Sequence, residues 1–263
     1  MHSEWSHDTG EDASMARACE RALELGVPAV AFTEHADYRS WQPTPAPGAG
    51  PASQGWFRRL DIPGYLACVE ECRQRYPALR IRSGMEAGEP HLFDSVTDAF
   101  VTACGFDRVL GSLHGIPDGG RLVSVRSLYT VRPAAEVVRR YFAELLQLVK
   151  GSGLFQVLAH VDFPRRYWPA AAGRYDESTF EEEYRGVLRE LANSGRALEI
   201  NTKSPLASVA VLRWWRDEGG DAVSFGSDAH VPWVVGNLFE VAVDVVEAAG
   251  FRPGRDAFDF WRR

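Results

Sequence analysis

Six short apolar runs, each followed by a longer segment with helical periodicity, set the tightest limit on what this chain can fold into. The runs cover residues 29–33, 79–83, 108–112, 155–159, 197–201 and 222–226. Their length and content suit buried strands. The spacing predicts helices over 13–25, 62–75, 92–104, 133–150, 179–193, 206–218 and 235–249. Gly26, Gly151, Gly195, Gly219 and Gly250 stand just past the last turns, where a left-handed residue ends a helix, and Pro133 suits a first turn. Strands alternating with helices imply a largely parallel sheet in an α/β fold. The chain opens almost directly into a helix, so a strand is missing at the front of the pattern.

The 263 residues, 45% of them hydrophobic, supply one large core. An α/β barrel of that length commonly forms one unit, so a single domain spanning 1–263 is expected. No run of ~18 apolar residues exists to span a membrane. The polar start, with Glu4 and Asp8 among the first residues, lacks the order of a secretory signal, which predicts a cytoplasmic protein.

Lysine plus arginine number 29 against 36 aspartate plus glutamate, a formal charge of −7, so a long nucleic acid is not an expected partner. Lys150 and Lys203 are the only lysines. Cys19, Cys68, Cys72 and Cys104 have neither the close pairing of a zinc knuckle nor the density of a disulfide framework, and read as ordinary thiols.

Two stretches break the rhythm. Residues 41–55, rich in Pro, Gly, Ala and Ser, read as a surface loop, with a lid as the alternative. Residues 116–129 contain Asp118-Gly119-Gly120 and read as an excursion or small hairpin.

The polar residues fall in register with the runs. Five of the six finish on an ionisable side chain: Thr33-Glu34-His35, Gly84-Met85-Glu86, Ser112-Leu113-His114, His160-Val161-Asp162 and Ser227-Asp228-Ala229-His230. Parallel barrels build their sites at the C-terminal strand ends, so these groups would converge there. Imidazole and carboxylate donors together suit zinc, iron or manganese. Asp228 and His230 are two apart, which on an extended segment sends both to one side.

In these motifs the chain resembles the PHP (polymerase and histidinol phosphatase) superfamily, especially its histidinol-phosphatase-like members. Besides the strand ends, His2-Ser3-Glu4-Trp5-Ser6-His7-Asp8 and Glu199-Ile200-Asn201-Thr202 carry the likeness, which covers nearly the whole chain. The resemblance implies a distorted seven-stranded (β/α) barrel with up to three divalent ions. It implies that Glu86 bridges two ions, that His114 and His160 complete the second, and that Asp8, His35 and His230 hold a third. His2 and Asp228 would serve the first, Glu86 and Asp228 would take part in catalysis, Arg165 would contact phosphate, and Asn201 would shape the pocket. His7 and His91 fall outside the pattern and read as a solvated loop residue and a helix-start residue. Trp5, Trp41 and Trp56 read as packing, with a place at the pocket mouth as the alternative.

One departure stands out. The family opens with His-x-His, whose second His corresponds to His2, and Met1 takes the x position. The expectation is that the first strand is missing from this chain and that the natural protein begins upstream.

The resemblance implies metal-dependent hydrolysis of a small phosphate monoester, histidinol phosphate first, without a covalent intermediate. Rival readings are a nucleotide phosphatase or phosphodiesterase of the same superfamily, and a non-catalytic metal-binding protein degenerate at its first site. An amidohydrolase is disfavoured, since its opening His-x-His and bridging lysine are not evident.

Overall fold

The computed structural model describes residues 1–38, 60–203 and 207–263. The segment 41–55, Trp41 and Trp56 lie outside the described residues.

Six strands run parallel in sequence order: β1 (Ala29–Asp37), β2 (Arg80–Gly88), β3 (Arg108–Ser112), β6 (Val157–Leu158), β7 (Ala197–Asn201) and β8 (Ala222–Gly226). A two-residue strand, β9 (Trp261–Arg262), adds antiparallel to the outer edge of β8. The helices before and between them are α1 (Met15–Glu24), α2 (Ile62–Arg75), α3 (Ser95–Ala103), α5 (Ala134–Gly151), α6 (Glu181–Asn193), α7 (Val209–Asp217) and α8 (Phe239–Ala248). Side-chain caps start several: Ser14 accepts from Arg17 N, Asp61 from Gly64 N, Asp94 from Thr97 N and Ser208 from Val211 N. The apolar stripe of α5, with Val138, Tyr141, Phe142, Leu145 and Leu148 at three- and four-residue spacing, is buried in the main core. Among the described residues, no helix is long and apolar enough to cross a membrane.

β3, β7 and β8 have the bounds predicted from sequence. β1 and β2 run four or five residues further than predicted, so His35 and Glu86 lie inside strands and face each other in register. The fourth run shrinks to Val157–Leu158, because His160 turns the backbone to φ 24° and ends the extended conformation. The predicted hairpin forms from β4 (Gly115–Asp118) and β5 (Arg121–Ser124). Its two-residue turn, Gly119-Gly120, has both φ values positive, which two L side chains would resist. A short helix, α4 (Val125–Leu128), follows it.

Among the described residues, the first residues of the chain bond both to β1 and to the segment that follows β8. Thr33 N donates to Met1 O (2.8 Å) and His2 N donates to Ala229 O (2.8 Å). Below that junction lies a mostly apolar cavity of about 400 Å³, lined by Met1, Ala31, Val223, Phe225 and Trp261 among others.

Candidate metal centre

A smaller pocket of about 190 Å³ opens at the C-terminal strand ends and shares no lining residue with the apolar cavity. The ionisable groups are in this smaller space, and the chemistry belongs to it.

Glu86, buried at the end of β2, sits at its floor. His160 Nε2 is 3.0 Å and His114 Nε2 3.1 Å from Glu86 Oε1, while His2 Nε2 is 3.3 Å from Oε2. His2 is also 3.5 Å from Asp228 Oδ1. Nearer the mouth, Asp8 Oδ2 lies 2.8 Å from His230 Nε2 and 3.4 Å from His35 Nε2. All eight residues expected as ligands are thus brought together.

The opening segment is held by Glu34, which points beneath the site from β1. Its carboxylate accepts from Ser3 N (3.0 Å), Ser3 Oγ (2.6 Å) and Ser6 Oγ (2.7 Å), and Ser6 Oγ in turn accepts from His35 N (3.0 Å). A tight turn anchored this way presents His2 on one side and Asp8 on the other. His160 and Asp228 have positive φ (24° and 48°), a conformation that costs L residues free energy and persists where the surroundings impose it. Both re-aim a side chain from strand end to pocket.

Opposite charges decide the protonation states. Burial disfavours the charged form of Glu86, yet His35, His114, His160 and His2 outweigh it and hold the carboxyl well below its usual range. Burial also opposes charge on His2, but Asp228 and Glu86 raise it to about 9. His114 is raised for the same reason by Asp37 and Glu86, whereas burial wins at His160 and pushes it down to about 4. Glu199, under the site, accepts from His160 N (2.8 Å), and burial followed by the charge of Glu86 raises it to about 7.

The donor set fits a divalent ion. One donor atom each from His2, His35 and His230 lies within 4.8 Å of the others, and the same holds for His35, Glu86 and His114. Buried His35 Nδ1 has no hydrogen-bond partner among the described residues. Imidazole and carboxylate at such spacing suit zinc, iron or manganese.

Among the described residues that line the pocket, Arg165 is not one. It lies 3.6 Å from Glu177 and stacks on Tyr175. Arg166 enters instead, 2.9 Å from Asp228 and 2.6 Å from Asn201 Oδ1. Two adjacent arginines cannot be told apart by sequence; the 3₁₀ turn Phe163–Tyr167 selects which one faces in. Lys203 Nζ also reaches the pocket, 3.2 Å from Asp228 Oδ1 and 3.2 Å from His230 Nδ1. Its isolation as one of two lysines was the only signal in the sequence.

His7, expected in solvent, is largely buried in the pocket wall with Nε2 3.6 Å from Asp37. Asp37 had one signal, its position two residues beyond His35 on an extended segment. His91 stays outside, paired with Glu144 at 2.7 Å. Trp5 packs against the helix α2 backbone at Gly64 and does not line the pocket.

Comparison with known proteins gives the chain its relatives. The model of the PHP domain family matches residues 1–203. A histidinol-phosphatase from Lactococcus lactis subsp. lactis is 25% identical over 258 residues, covering 95% of this chain and 90% of the relative. A probable histidinol-phosphatase from Deinococcus radiodurans is 28% identical, covering 94% and 90%. The crystal structure of the Lactococcus histidinol phosphate phosphatase, complexed with zinc, L-histidinol and phosphate, superposes with a TM-score of 0.78 at 24% identity. That match covers 96% of this chain and 92% of the other, and it shows the shared fold.

Proposed function

The chain belongs to the PHP domain family, and from that premise we propose that it is a metal-dependent phosphatase that hydrolyses histidinol phosphate. The observation that carries the reading is the convergence of seven of the expected ligands with the cations Arg166 and Lys203 in one small pocket, the eighth, His2, reaching Glu86 at 3.3 Å.

On this reading Glu86, His114, His160, His2 and Asp228 would hold two ions at the floor. Asp8, His35 and His230 would hold a third. Zinc, iron and manganese all suit these donors. Such ions, when bound, activate water and neutralise phosphoryl charge. Arg166 and Lys203 bind and orient the phosphate, taking the role first expected of Arg165. A guanidinium can grip two phosphoryl oxygens at once, while the ammonium acts as a point charge. Both now lean on Asp228, so substrate phosphate would draw them from one anion to another. Since phosphoryl transfer depends mainly on positioning and electrostatics, no nucleophilic side chain is required.

The test is a hydrolysis screen of the zinc- or manganese-loaded protein against histidinol phosphate, sugar phosphates, nucleotides and oligonucleotides. Histidinol phosphate should give the highest kcat/KM, a chelator should abolish turnover, and Arg166→Ala should lose about 10²-fold or more in kcat/KM. Arg165→Ala should stay within a few-fold. Metal-loaded protein that hydrolyses no monoester would leave the non-catalytic reading; a preference for oligonucleotides would favour the phosphodiesterase.

A further inference from the structure

His114 and His160 both approach the same oxygen of Glu86, but they are supported differently. The His160 side chain is 2% exposed and fixed by packing against Phe163, 4.8 Å between ring centroids. The His114 side chain lies 5.3 Å from the same Phe163 ring but is 24% exposed and follows β3 immediately before the hairpin, so packing on that one side does not by itself hold it. Two buried carboxylates do.

Asp37, the last residue of β1, takes the ring. Its Oδ1 lies 2.8 Å from His114 Nδ1, and a carboxylate can only accept, so Nδ1 carries the proton and Nε2 is turned toward Glu86. Glu89 takes the backbone: its Oε1 accepts from both His114 N and Gly115 N at 2.8 Å. The fold accepts costs to build this clamp. Glu89 sits at φ 53°, unfavourable for an L residue. Gly88, opposite Asp37 in the β1–β2 register, leaves the room the carboxylate needs, since a Cβ there would stand 2.0 Å from Asp37 Oδ1.

We propose that Asp37 and Glu89 are positioning residues that fix the tautomer and direction of His114, and that without them its metal site is loose. The proposal rests on the assignment of His114 as a ligand, and deepens it. Partners that orient a ligating histidine typically contribute about 10- to 100-fold in metal affinity or activity.

The experiment measures zinc affinity by competition with a chelating dye, and the absorption spectrum of the cobalt-loaded protein, for Asp37→Ala, Asp37→Asn, Glu89→Gln and His114→Ala. Circular dichroism confirms folding of each. Asp37→Ala should weaken the tightest affected site about 10- to 100-fold and shift the cobalt spectrum. Asp37→Asn, which keeps an acceptor oxygen, should recover part of the loss. In the His114→Ala background Asp37→Ala should add nothing, because the two act through one group. Unchanged affinity and spectrum in Asp37→Ala, or losses that simply add in the double variant, would overturn the proposal. These readouts need no substrate, so they stand or fall separately from the histidinol phosphate assignment.

Discussion

The floor and the mouth of the pocket use the same residue types under different conditions. At the floor, Glu86 and His160 have side chains 4% and 2% exposed, while at the mouth Asp8 and His230 are 29% and 21% exposed. Charges buried at the floor must neutralise one another or be neutralised by bound cations, since unpaired burial is costly. At the mouth, water shares that work. The floor is consequently coupled to folding, and the mouth is free to exchange partners.

Removing the shared carboxylate should break the comparison most sharply. Glu86 faces His2, His114 and His160 together, so Glu86→Ala should abolish detectable hydrolysis and lower bound metal by more than one site's share. Asp8→Ala should lose one site's share. Metal analysis beside turnover decides this, and equal losses from the two variants would erase the distinction between floor and mouth.

A smaller effect concerns the metal-free protein. His160→Ala removes a buried ring packed on Phe163 and should destabilise by about 1–3 kcal/mol in chemical denaturation. His230→Ala, at the mouth, should stay within about 0.5 kcal/mol. Similar midpoints for both would mean that the floor is no more tied to folding than the mouth.

The smallest effect is one of pH. Glu89 and Glu199 are raised from 4.5 to about 7, so the metal-free fold binds their protons more tightly than the unfolded chain and loses stability as pH climbs through that range. His2, raised from 6.5 to about 9, contributes stability that is fully present below pH 6.5 and is lost as pH rises through 9. Carboxylates with depressed values, such as Asp228, give their full contribution above 3.8 and do not offset the decline. His160, pushed down to about 4, works the other way only below pH 6.5, so the metal-free Tm should fall by several degrees between pH 5 and 9, most of it above pH 6.5. The increment from added zinc should grow over the same interval, because metal replaces protons on the histidines. A metal-free Tm that rises with pH would contradict the assigned floor network.

The parallel α/β plan and the strands β3, β7 and β8 were legible because strand and helix periodicities differ and turn glycines punctuate them. The same register marked His35, Glu86, His114, His160, Asp228 and His230, since an ionisable residue ending a buried run is conspicuous. Residues whose role depends on direction were not legible. Arg166 differs from Arg165 by one step in a 3₁₀ turn, and His7 was set aside for lack of a strand. Asp37, Glu89 and Lys203 acquire meaning only from what faces them across β2, β3 and β8. By itself the sequence determined the order of elements and the chemistry placed at their ends, because both are local properties of the chain. The tertiary structure alone decided which side chains share a carboxylate, which are buried with it and which reach water. Those outcomes follow from contacts between residues as far apart as Asp8 and His230, which local propensity does not encode.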